Sequence, residues 1–167
     1  MMRTFVLPAV CALISWGCIN PFAPRLDTDS IAQLCNDMTQ IDDLLCQFRN
    51  AYSFKDTTLY GSLLVSDFTF IYTDYDRGVD VSWGRDDEMR STYGLFQSAQ
   101  SLTLIWNNEI SSSGSDTLRS IVRGFNLTVT FDPSDVARVE GYANLTFARP
   151  TRSDAWKMAR WRDESNY

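Results

Sequence analysis

Residues 39–73 read TQIDDLLCQFRNAYSFKDTTLYGSLLVSDFTFIYT, and within this stretch the hydrophobic spacing changes from that of a helix to that of a strand. As far as Phe54, the residues Ile41, Leu44, Leu45, Phe48, Ala51 and Tyr52 fall in one stripe at 100° per residue, the mark of a helix with one buried face. Thr39, with Asp42 three residues on, reads as its N-cap. Asp56 reads as the cap of a second, short helix that buries Leu59, Tyr60, Leu63 and Leu64. From Asp67 to Thr73 the period becomes two, with Phe68, Phe70 and Tyr72 on one face of a strand and Thr69, Ile71 and Thr73 on the other.

Reading toward the C-terminus, Val79 to Trp83 is a short returning strand and Gly84 opens a third helix. There Asp86, Asp87 and Glu88 sit at the positive end of the dipole, and Met89, Thr92, Tyr93 and Phe96 form the apolar side. Four strands follow, at 102–107, 118–131, 136–149 and 156–161. The serine-rich 109–117, the Asp132-Pro133-Ser134-Asp135 turn and 150–154 are separators of hairpin length. The expected class is α+β, a curved antiparallel sheet wrapped around three helices.

Reading toward the N-terminus, Arg3, the apolar run Phe5 to Trp16 and Gly17 before Cys18 have the order and length of an export signal. The stretch resembles a bacterial lipoprotein signal, with Ser15 and Trp16 standing where that signal prefers an aliphatic and then a small residue. The resemblance implies cleavage after residue 17 and lipid on Cys18; the alternative is an uncleaved N-terminal anchor. Residues 18–38, with Pro21 and Pro24, read as a tether, and 39–167 as the domain. The expected location is an exported, membrane-anchored lipoprotein. Because Ile19 rather than aspartate follows the cysteine, this is the outer membrane facing the periplasm where the source has two membranes.

Composition narrows the chemistry. The chain has no histidine, so Ser-His and Cys-His nucleophiles and imidazole metal sites are excluded. Two of the four cysteines lie at or before the cleavage point, and the remaining Cys35 and Cys46 are too few for a cysteine-rich metal centre. No glycine-rich phosphate loop is present, so neither metal nor cofactor is expected. The net charge of −6 becomes one unit more negative once Arg3 is removed, and there is no basic block, which argues against nucleic acid as a partner.

Phe48-Arg49-Asn50-Ala51-Tyr52, Lys55-Asp56, Asp67-Phe68, Ser82-Trp83-Gly84-Arg85 and Trp156-Lys157-Met158-Ala159-Arg160-Trp161 together resemble the nuclear transport factor 2-like (SnoaL-like) superfamily. The N-terminal tether is similar to that of bacterial cone-fold lipoproteins of unknown function. The resemblance covers roughly 39–163 and implies a cystatin-like cone with an apolar pocket at its open end. Members of the superfamily use that cone as isomerases, dehydratases or hydrolases, or only to bind. The histidine chemistry of the dehydratases is excluded by composition.

Alternation marks candidate pocket residues. In the strand 118–131, Arg123 shares an otherwise apolar face with Ile121, Phe125 and Leu127, and a guanidinium so placed needs a carboxylate, a ligand anion or the open rim. Asp74 continues the phase of Phe68, Phe70 and Tyr72, so it is the candidate partner of Arg123 and the weak candidate for a general base. Gly141 leaves room for a bend or a ligand. Tyr52, Tyr72, Trp83, Tyr93, Trp106 and Trp161 are the aromatic candidates for a pocket that suits a flat apolar ligand. Cys46 lies about 140° from the apolar stripe of its helix, and a chain broken at Thr39 can bring Cys35 back to it as a disulfide. The functional expectation is a lipid-anchored cell-envelope protein whose non-catalytic cone binds an apolar small molecule or a protein, a second copy of the chain being one candidate. The alternative is a cone-fold enzyme of isomerase, dehydratase or hydrolase type acting on a small apolar substrate.

Overall fold

The computed structural model describes residues 35–165; the expected signal segment, Cys18 and most of the expected tether lie outside the described residues. Nine elements follow in order: α1 (Ile41–Phe54), α2 (Thr57–Ser62), β1 (Leu64–Asp74), β2 (Val79–Gly84), α3 (Arg85–Ser98), β3 (Ser101–Gly114), β4 (Leu118–Asp132), β5 (Asp135–Ala148) and β6 (Lys157–Asp163). The α+β order expected from the sequence is present. No described helix is long and apolar enough to cross a membrane.

The strands form one curved, unclosed sheet in the order β2-β1-β6-β5-β4-β3. The expectation of a purely antiparallel sheet is corrected at one seam: β6 enters between β5 and β1 and runs parallel to β1, with Phe70 opposite Trp161. That pairing joins residues about ninety positions apart, so no local turn signals it. β3 also departs from expectation. It continues through the serine-rich stretch to Gly114, because Ser111 to Gly114 pair with Val122 to Arg119. An edge strand needs only backbone bonds on one side, and serines tolerate its exposed face. The separator shrinks to a turn over Ser115 to Thr117. Gly114 opens this turn with φ 127°, where a Cβ would stand 2.3 Å from the Leu118 carbonyl oxygen, so only glycine fits.

The apolar stripe of α1 is buried through Leu44, Leu45, Phe48, Ala51 and Tyr52. Its N-cap is Gln40, not Thr39, and no side chain caps it. Thr39 is held one turn earlier, where its N–H and Oγ1 donate to Asp37 Oδ1 at 3.0 and 2.5 Å. The helix ends at Lys55 in the left-handed region, and Asp56 Oδ1 accepts from Leu59 N at 2.9 Å to start α2. The last residues of the expected tether dock on the domain: Cys35 is buried and disulfide-bonded to Cys46 with Cα atoms 5.9 Å apart. Asp37 N donates to Asp43 Oδ2, and Trp156 N donates to the Met38 carbonyl.

Candidate functional site

The inward faces of α1, α2, α3 and the sheet bring most of the aromatic candidates together, and they pack on one another. Tyr52 stands edge-on to Tyr60 and Phe96 at centroid distances of 5.8 and 5.3 Å, and Phe48 packs on Tyr60 at 5.3 Å. Trp161 is enclosed by Phe48, Phe70, Trp106 and Phe125 at 5.6–6.3 Å. Trp83 stacks on Phe70 at 4.6 Å, with Tyr72 tilted against it at 5.5 Å. Trp106 donates its indole N–H to the Leu45 carbonyl at 3.0 Å. The interior is a ring-on-ring core, in which Trp161 Nε1 and, against β5, Ser165 Oγ are buried without a hydrogen-bond partner among the described residues. Tyr93 is no part of it. It is 55% exposed on the outer side of α3.

Gly141 is occupied too. A Cβ there would come within 2.4 Å of Ser165 Cα, so the glycine admits the C-terminal segment; with Trp106, Arg123, Phe125 and Tyr142 it also lines an open cavity of about 790 Å³. Asp163 Oδ1 accepts from Ser165 N at 2.9 Å and Glu164 N donates to the Tyr142 carbonyl, which fixes the segment against β5.

Two of the described acids are buried: Asp163 on β6, and Glu88, which the sequence reading placed with Asp86 and Asp87 at the positive end of the helix dipole and which is 5% exposed. Tyr60 Oη donates to its Oε1 at 2.5 Å, Thr92 Oγ1 to the same oxygen at 3.1 Å, and Trp83 Nε1 to Oε2 at 2.7 Å. Burial pushes the Tyr60 phenol well above its usual range, with Tyr52 and Glu88 adding to the effect. The available signal was spacing: Glu88, Thr92 and Phe96 repeat every four residues and share a face. Through these three donors the carboxylate joins α2, β2 and α3.

Asp74 and Arg123 do not meet. Their strands β1 and β4 are separated by β6 and β5. Asp74 Oδ1 caps the turn after β1 by accepting from Arg77 N, and its other oxygen lies 3.7 Å from Arg77 Nε. Arg123 instead pairs with Asp42 on the first turn of α1, Nη1 to Oδ1 at 2.7 Å, and its Nε donates to the Asn107 carbonyl at 2.8 Å. That ion pair is at the rim, with Asp42 83% exposed.

Beside this pair, between the start of α1 and the β3–β4 and β5–β6 turns, lies a groove of about 400 Å³. Its walls carry Arg119, Arg149 and Arg152 with Glu109, Asp116 and Ser112. Arg149 lies over the Trp156 ring at 4.1 Å and donates Nε to the Asp116 carbonyl at 2.6 Å and Nη1 to the Thr39 and Asp154 carbonyls. Arg119 Nε is buried with no hydrogen-bond partner. Among the described residues no group of histidine, cysteine and acidic side chains could hold a metal ion.

Solved structures share this architecture. A nuclear transport factor 2-like superfamily protein from Salmonella enterica superposes with a TM-score of 0.60 at 15% identity, covering 77% of this chain and 89% of its own. The fold is the nuclear transport factor 2-like cone. A Novosphingobium aromaticivorans structure named "Putative Scytalone Dehydratase" matches the cone with a TM-score of 0.66 at 14% identity, covering 78% and 84%. The Kfla4162 protein of Kribbella flavida gives 0.65 at 12%, covering 78% and 91%. No family model matches the sequence and no curated protein matches it.

Proposed function

We propose that this chain is an exported protein, anchored by lipid on Cys18, whose cone domain binds a ligand at its rim and carries out no chemistry in its interior. The observation that carries the reading is the state of that interior: Glu88 holds three donors of its own protein among aromatic rings in mutual contact, and the buried Asp163 holds the Ser165 N–H. A catalytic acid or base must reach a proton of its substrate, and a group enclosed by three donors of its own protein does not. The polar groove at the start of α1 is open to solvent and holds charged groups unmatched by the protein, so it is the ligand-accepting surface.

Two measurements test the two parts of the reading. Intact-mass analysis of protein extracted from the membrane fraction is expected to give a chain beginning at Cys18 with added acyl mass; a chain beginning at Met1 contradicts the anchor. Titration with 2-naphthol, a flat apolar probe, is expected to produce no saturable quenching of tryptophan fluorescence. Saturable quenching contradicts the filled interior.

A further inference from the structure

The groove between the start of α1 and the β3–β4 and β5–β6 turns is lined by Arg119, Arg149 and Arg152 against Asp42, Glu109 and Asp116, and Arg123 beside it leaves one positive charge in excess, although the whole chain is acidic. Asp42 is neutralised by Arg123, and Asp116 lies 3.7 Å from Arg152. Arg149 spends its hydrogen bonds on backbone carbonyls and its ring contact on Trp156, none of which cancels its charge. Arg119 makes no ion pair among the described residues, and its Nε is buried unpartnered. Against these two uncompensated guanidiniums stands one uncompensated carboxylate, Glu109, on the neighbouring strand β3.

From this arrangement we infer that the groove binds a sugar acid, a small polyhydroxylated molecule with one carboxylate. A guanidinium fork matches a planar carboxylate in two parallel hydrogen bonds. Glu109 and Ser112, on the strand paired with that of Arg119, offer acceptors to hydroxyl groups. A volume of about 400 Å³ suits a ligand of one or two rings. The inference rests on the proposed rim-binding role and names the ligand class.

The test is saturation-transfer NMR on the purified protein, with D-glucuronate and D-glucose as observed probes and inorganic phosphate as a competitor of glucuronate, repeated on Arg119→Gln and Arg119→Lys. The expected result is saturable binding of glucuronate, weakened at least tenfold by Arg119→Gln and partly retained by Arg119→Lys, with glucose and phosphate much weaker. Melting curves of the variants that match the parent show that the fold is intact. Phosphate binding as tightly as glucuronate makes this a general anion site and overturns the sugar-acid assignment. Glucose binding equally well, or glucuronate binding that ignores Arg119, overturns the role of the guanidinium. The phosphate and glucose outcomes change the ligand class and leave rim binding in place. No binding of either observed probe overturns the inference, whereas the rim-binding role itself fails only on the interior response to 2-naphthol.

Discussion

Glu88 and Arg123 show how far a single residue's role follows from spacing. Arg123 was legible as a charge on an apolar face that needed a partner, yet its partner is fixed by the sheet order, which sets β4 beside the start of α1 and away from the end of β1. The reverse happened at Glu88: three consecutive acids in a first turn look alike in sequence, and only the packing of α3 on Tyr60 and Trp83 singles out one for burial. Different stabilities follow. Glu88→Ala strands three donors in the core and is expected to cost about 3 kcal/mol or more in denaturant unfolding, since each unmatched buried group costs about 1–3 kcal/mol. A gain in stability would mean that Glu88 is a strained functional acid after all. Arg123→Met removes an exposed pair worth at most about 1 kcal/mol, so the melting temperature should move by less than about 4 °C; a larger fall would show a buried pair. Tyr60 adds a pH dependence. In the unfolded chain its phenol ionises near pH 10, while in the fold burial raises that value. The folded form therefore binds the proton more tightly, and unfolding free energy should decline as pH rises above about 10. Tyr60→Phe should flatten that decline while lowering stability at neutral pH.

At the scale of elements, the strongest signals were the periodic ones. The α1 stripe, the Asp56 cap and the alternation of β1 and β4 all rest on contacts within a few residues and stand in the structure as read. Boundaries that depend on a distant strand were hidden: the extension of β3 follows from its pairing with β4, and the insertion of β6 from its parallel contact with β1. Gly141 belongs to the same class. Its missing side chain looked like space, and the space is filled by a segment that comes twenty-four residues later in the chain. Gly141→Val is expected to lift residues 164–165 off β5, to lower stability by about 1–3 kcal/mol and to expose the C-terminal end to carboxypeptidase. Unchanged stability and unchanged resistance to the enzyme would contradict that packing.

For the whole molecule, fold and ligand site separate. The cone was legible because element order and binary pattern constrain topology. The groove was not, because its guanidiniums and carboxylates come from the start of α1, two turns and the ends of three strands, and each alone reads as an ordinary surface charge. The account puts ligand binding at that rim and packing in the interior, and two tryptophans report on the two regions separately: Trp156 lines the groove, while Trp161 is buried among four rings of the interior. The most direct test is a ¹H–¹⁵N spectrum of the indole N–H groups of the purified protein, recorded with D-glucuronate and separately with 2-naphthol. The predicted result is that glucuronate shifts the Trp156 signal and that neither probe shifts Trp161; movement of the Trp161 signal with either probe would place the ligand inside the cone and contradict the account.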